Sequence, residues 1–123
     1  MNCLIVDDNK IARTTMKQLA GFFLDIVVIK ECADAAEAFN FLEGNPVDLV
    51  LLDIEMPGMS GIELTKNLGI NRPLIIFTTS KKEYAAEAFE LLRDMLLQKD
   101  KIFLCKASNS MKFCELIQHL QEV

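Results

Sequence analysis

Histidine is nearly missing from this chain of 123 residues: there is one, His119. The four cysteines, Cys3, Cys32, Cys105 and Cys114, lie far apart with no C-x-x-C pair. One imidazole and scattered thiols cannot assemble a zinc site. Cys3 and Cys105 sit inside apolar runs, the setting of reduced thiols that pack as small hydrophobes. Basic residues are in the minority, 13 Lys and Arg against 18 Asp and Glu, a formal net charge of −5. That balance argues against a basic stripe for phosphate backbones, so direct nucleic-acid binding is not expected. No apolar run approaches the roughly 20 residues of a membrane span. The start, Met1 to Asp8, has neither the basic region nor the small-residue cleavage site of a signal peptide. These absences lead to the expectation of a cytoplasmic protein with no membrane contact. Linkers, low-complexity tracts and internal repeats are absent too, so residues 1–123 read as one domain.

What is present is a repeated alternation. Apolar runs occupy Cys3–Val6, Ile26–Ile29, Leu49–Leu52, Leu74–Phe77 and Ile102–Cys105. Most are continuous rather than alternating, as in strands buried on both faces of a parallel sheet. Helical patterns separate them. Ile11 to Leu19 is the first. Asp34 caps the second, with Glu37 three residues on as in a capping box, and Gly44-Asn45-Pro46 ends it. A third follows Gly61 and stops by Gly69, and a fourth opens at Ser80-Lys81-Lys82-Glu83. The last places Phe113, Leu116, Ile117 and Leu120 on one face. Five strand–helix units with short connections predict an α/β fold with helices on both faces of a parallel sheet.

Ligands in such sheets bind beyond the carboxyl ends of the strands. There the first run is followed by Asp7-Asp8, the third by Asp53, the fourth by Thr78-Thr79-Ser80 and the fifth by Lys106. Three clustered carboxylates repel one another and need compensation. A hard cation that takes few protein ligands, Mg²⁺ above all, supplies it and leaves positions for phosphate oxygens. Lys106 and a Thr hydroxyl would hold further phosphoryl oxygens, and Asp53 can be the acceptor, since a carboxylate can form an acyl phosphate.

The segments Leu4-Ile5-Val6-Asp7-Asp8, Asp48 through Gly61 with its Asp53-Ile54-Glu55-Met56-Pro57-Gly58-Met59-Ser60-Gly61, and Ile75 through Ser80 carry a resemblance. The chain resembles the response-regulator receiver domain of two-component signalling over nearly its whole length. The resemblance implies a flavodoxin-like (βα)5 doubly wound sheet of order 2-1-3-4-5. It implies that Asp53 is the phospho-acceptor and that Asp8 and Asp53 ligate Mg²⁺ (or Mn²⁺) directly. The backbone carbonyl of Glu55 would be the third protein ligand, with Asp7 acting through water. Thr79 matches the switch hydroxyl, Lys106 the active-site lysine and Phe103 the switch aromatic, where relatives often carry Tyr. Glu55 and Lys81 would flank the acceptor. The implied partner is a sensor histidine kinase or phosphotransfer protein. The domain would catalyse only its own phosphorylation and dephosphorylation. Glu83 through Leu91 looks like receivers that precede LytTR-type DNA-binding domains.

Two departures stand against the pattern. Ala107 follows Lys106, where the family usually has Pro, often after a cis bond. Phe89 to Phe103 is about seven residues longer than in relatives, and Leu91 through Lys99 are good helix formers. The expectation is a fourth helix running to about Gln98, with Leu96 or Leu97 exposed and inviting a homodimer or domain exchange through the fourth-helix and fifth-strand face. Two other readings stay open. One is a folded pseudo-receiver or engineered variant impaired in switching. The other is an aspartyl-phosphate phosphohydrolase, although that class wants its second acid two residues after the first. No Gly-rich loop follows the first strand, which disfavours a flavin or dinucleotide site.

Overall fold

The computed structural model describes residues 1–68 and 73–78, together with the backbone of Thr79 and of Ile102–Lys106. The elements in chain order are β1 (Asn2–Val6), α1 (Lys10–Ala20), β2 (Val27–Cys32), α2 (Ala35–Gly44), β3 (Leu49–Asp53), α3 (Gly61–Leu68), β4 (Leu74–Thr79) and β5 (Ile102–Lys106). The strands form one parallel sheet of order β2-β1-β3-β4-β5, the expected flavodoxin-like arrangement.

Two cores explain why three of the runs are continuously apolar. On one face, Leu4, Val6, Val50, Leu52, Ile75 and Phe77 pack with Ala35 and Ala38 of α2 and Ile62 and Leu64 of α3. On the other, Cys3, Ile5, Leu49, Leu51 and Ile76 pack with Met16 and Ala20 of α1. Strands β1, β3 and β4 therefore bury both sets of alternating side chains, and each position needs an apolar residue. The thiols of Cys3 and Cys32 are buried, and that burial pushes both up to about 12, so they stay protonated and inert.

The second strand does not follow the apolar run. It spans Val27–Cys32 rather than Ile26–Ile29. Ile26 lies ahead of it, buried in the α1-side core. The cause is position: β2 is the sheet's edge, so polar residues are tolerated along it. The register also slips, Cys3 pairing with Val28 but Leu4 with Lys30, which leaves Ile29 as the extra residue of a bulge. After the bulge the strand's charges are paired. Lys30 Nζ lies 3.6 Å from Glu37 on α2, and Glu31 lies 3.9 Å from Arg13 and 3.6 Å from Lys17 on α1. A bulge and charged side chains are common ways to blunt an open edge against strand addition.

The helix starts are set by short polar side chains. Asn9 Oδ1 accepts from the N–H groups of Ile11 and Ala12 at 2.8 and 3.2 Å, and Ser60 Oγ accepts from Glu63 N–H at 3.2 Å. Asp34 Oδ1 accepts from Glu37 N–H at 2.8 Å, as its position predicts. Glu37 contacts Lys30 with its own carboxylate, so its place in the capping box is taken by a cross-element ion pair. The fourth helix with its Ser80–Glu83 start, the closing helix with His119, and the Lys106–Ala107 bond all lie outside the described residues.

The Asp34 cap gives a direct check on this local reading. Asp34→Ala should lower stability by about 1 kcal/mol. Urea unfolding should show a lower midpoint with an unchanged slope, because the surface exposed on unfolding is the same.

Candidate functional site

Parallel strands deliver their carboxyl ends to one edge of the sheet, and the strand order makes β1, β3, β4 and β5 successive neighbours there. Asp7 and Asp8 follow β1. Asp53 ends β3 and is register partner of Thr78, while Thr79 is register partner of Lys106. Four of the predicted strand ends thus meet. The carboxylate oxygens of Asp7, Asp8 and Asp53 all lie within 4.8 Å of one another. Asp7 is buried, Asp53 half-buried and Asp8 exposed, and Glu55 is exposed on the loop after Asp53. The side chains of Thr79, Phe103 and Lys106 lie outside the described residues.

Asp7 is held from three sides. Its N–H donates to the Cys32 carbonyl at 3.1 Å, tying the end of β1 to the end of β2. Its Oδ1 accepts from Asn9 N–H at 2.8 Å. Its carbonyl accepts from Arg13 Nη1 at 2.6 Å. Asn9 caps α1 at the same time, so the helix start and the acidic turn are one unit. Asn9 carries a legible signal, a capping residue just ahead of a helical pattern. Arg13 carries none, because its role depends on a guanidinium reaching back six residues.

Asp53 is held by the loop that follows it. Its Oδ1 accepts from Glu55 N–H at 3.3 Å. Ile54 N–H donates to the Thr78 carbonyl at 3.1 Å, and Gly61 N–H donates to the Ile54 carbonyl at 3.0 Å. Gly58 turns the loop with φ +82, a left-handed conformation that suits glycine. Gly61 has a different reason to be glycine: a Cβ there would overlap the Asp53 carbonyl oxygen. The first residue of α3 therefore rests directly on the backbone of Asp53.

The electrostatics are those of an under-compensated acid cluster. Burial, then the charge of Asp7, pushes Asp53 up to about 7, against the pull of the Glu55 N–H, with Asp8 and Glu55 adding to the rise. Asp7 is also raised, by burial first and then by Asp8, while the Asn9 N–H and Arg13 pull the other way. The donors are hard oxygens, close enough to share one ion, and their own repulsion favours one. The residues present therefore fit the hard divalent cation that the sequence calls for.

A further polar group stands beside Thr79 at the end of β4. Thr78 is 1% exposed, and its Oγ1 has no hydrogen-bond partner. A stranded buried hydroxyl costs about 1–3 kcal/mol. Its signal in the sequence is a threonine at the end of a buried strand, where valine would fill the same space.

Comparison with known proteins agrees with this geometry. The response regulator receiver domain family matches residues 3–119. The chain belongs to that family. It is 42% identical over 88 residues to the transcriptional regulatory protein BtsR of Salmonella typhi, a match covering 71% of this chain and 37% of BtsR. The chain thus spans well under half the length of this curated relative. Among solved structures it is similar to the response regulatory domain of MrkE from Klebsiella pneumoniae, with TM-score 0.77, 27% identity, and coverage of 99% and 96% of the two chains. It is also similar to a chain in the crystal structure of the P1 domain of CheA3 in complex with CheY6 from R. sphaeroides, with TM-score 0.74, 27% identity, and coverage of 99% and 97%. Among the described residues, no helix is long and apolar enough to cross a membrane.

The raised Asp53 has a signed consequence for stability. Its folded value of about 7 exceeds the ordinary carboxyl value of 3.8. Between those values the native state binds more protons than the unfolded state, so stability falls as pH rises through the window. In EDTA, Asp53→Asn should be more stable than wild type at pH 8, by about 1–2 kcal/mol. That figure discounts the full shift because the group is half-buried and water screens it. The gap should close towards pH 4, which thermal melts across that range would show.

Proposed function

We propose that this receiver accepts a phosphoryl group on Asp53 from a sensor histidine kinase or phosphotransfer protein, and that the modification controls output through β5 and the segment between β4 and β5. The observation that carries the reading is the placement of Asp53 at the end of a central strand with two more carboxylates within 4.8 Å. In the transfer, an Asp53 oxygen forms a bond to phosphorus as the bond from phosphorus to the donor imidazole nitrogen breaks. The imidazole leaves with the electron pair and takes a proton. The Glu55 N–H already bonds one Asp53 oxygen, which orients the carboxylate for attack. Lys106 and Thr79, whose backbones end the neighbouring strands, are assigned the phosphoryl oxygens.

Mg²⁺ or Mn²⁺ would be held by Asp8, Asp53 and the backbone carbonyl of Glu55, with Asp7 acting through water, and would neutralise charge on the cluster and on the phosphoryl oxygens. The partner class is supported by the similarity to a chain of the solved complex between the P1 domain of CheA3 and CheY6. The domain acts as a switch that modifies itself, in the cytoplasm, rather than as a metabolic enzyme. A folded pseudo-receiver impaired in switching is the second reading, favoured by Ala107 in the place of the usual proline. Phe103 as the switch aromatic and self-association through an extended fourth helix belong to the same proposal.

Incubation with acetyl phosphate and Mg²⁺ should add one phosphoryl group by intact-mass spectrometry, and Asp53→Asn should abolish the addition. Undiminished labelling of that variant would remove Asp53 from the role.

The metal has its own test. Asp8→Ala should weaken Mg²⁺ binding, read by calorimetry, by about tenfold or more, since losses of that size already follow removal of outer partners of metal ligands. Equal affinity in both proteins would place the ion elsewhere.

A further inference from the structure

Thr78 on β4 lies directly across from Asp53 on β3, the two being register partners in the parallel ladder. Side chains alternate along a strand. Leu49 and Leu51 of β3 and Ile76 of β4 enter the α1-side core. Asp53 and Thr78, two residues beyond Leu51 and Ile76, continue that same face. A buried hydroxyl without a hydrogen bond is therefore a lateral neighbour of the acceptor carboxylate. Thr78 cannot leave this place easily, because its carbonyl accepts from Ile54 N–H at 3.1 Å. Rotation about χ1 is the movement left to the hydroxyl. Native proteins rarely strand such a group, and valine would occupy the same volume without one.

In the resting domain one Asp53 oxygen is engaged by the Glu55 N–H at 3.3 Å. Phosphorylation changes what the side chain offers. One carboxyl oxygen becomes the bridge to phosphorus, and the phosphoryl group extends beyond the carboxyl ends of the strands. The other oxygen becomes the carbonyl of an acyl phosphate, and the lone pair that it does not give to the metal can face β4.

We propose that Thr78 is a second hydroxyl of the acceptor site, unpaired at rest, which donates to the carbonyl oxygen of Asp53 once that residue carries a phosphoryl group. This rests on the reading of Asp53 as acceptor. Thr78 is a positioning residue: it acts on the Asp53 side chain and not on the phosphoryl donor. The stranded hydroxyl destabilises the resting domain, and the new bond removes that penalty only in the modified one. The hydroxyl thereby biases the domain towards the phosphorylated state, separately from any role of Thr79.

The test compares wild type, Thr78→Val and Thr78→Ser by thermal unfolding, with and without Mg²⁺ and the phosphoryl mimic beryllofluoride. Acetyl phosphate labelling runs in parallel. At rest, Thr78→Val should melt about 3–5 °C higher than wild type, a shift expected for relief of one buried polar defect in a domain this size. Its gain on adding beryllofluoride should be smaller than that of wild type by a similar amount. Thr78→Ser, which keeps the hydroxyl, should show the wild-type gain. Equal gains in wild type and Thr78→Val would overturn the inference while leaving Asp53 as acceptor. A lower resting midpoint in Thr78→Val would also overturn it, by showing the hydroxyl already paired. Wild type that neither labels nor gains stability would remove both readings.

Discussion

Three carboxylates within 4.8 Å of one another are the constraint on which the rest of this domain depends. Left alone they would drive the strand ends apart or take up protons. The chain does neither fully. It buries Asp7, half-buries Asp53 and leaves Asp8 in water, so the cost is spread unequally. Backbone N–H groups and one guanidinium offset part of it, and the rise of Asp53 to about 7 marks what is left over. An acid cluster in this condition is poised for a cation.

The sheet makes that cluster possible by register alone. β1 and β3 are adjacent and parallel, with Val6 opposite Leu52, so the residues that follow them arrive at the same level. No side-chain contact is needed to bring Asp7, Asp8 and Asp53 to one edge. Side chains and caps then refine the arrangement. Asn9 binds the Asp7 carboxylate through its N–H and caps α1 through its side chain. Arg13 reaches from α1 to the Asp7 carbonyl and lies 3.9 Å from Glu31 on β2. The acidic turn is thus braced by the helix that follows it and by the edge strand beyond.

Legibility in the sequence follows from the range of the forces involved. Buried strands are legible because burial on both faces permits only apolar residues, as in Leu49–Leu52. The strand-end acids are legible because a parallel sheet needs no further information to gather them. Helix starts at Asp34 and Asn9 are written in residues within one turn. The run Ile26–Ile29 marks only the first half of β2 because its identity as an edge is a tertiary fact: Lys30 and Glu31 find their partners only once α1 and α2 are in place. Arg13 is illegible as a site residue for the same reason, since it acts across six residues of chain. Thr78 is legible as a strand-end hydroxyl, but not its place across the ladder from Asp53. The side chains of Thr79, Phe103 and Lys106 rest on the family resemblance alone.

The backbone around Asp53 shows where a change at its side chain can travel. Gly61, with no room for a Cβ, sets the start of α3 against the Asp53 carbonyl, and its N–H holds the Ile54 carbonyl at 3.0 Å. The same Ile54 donates its own N–H to Thr78 on β4 at 3.1 Å. The ladders to β1 and β4 hold β3 on both sides. A close-packed contact such as that with α3 yields little, because overlap rises steeply with small displacements. β4 carries the register that places Thr79 beside Lys106. Under the proposed reading of Asp53 as acceptor, a change at its side chain would reach β4 through the Ile54–Thr78 hydrogen bond and β5 through the β4–β5 register.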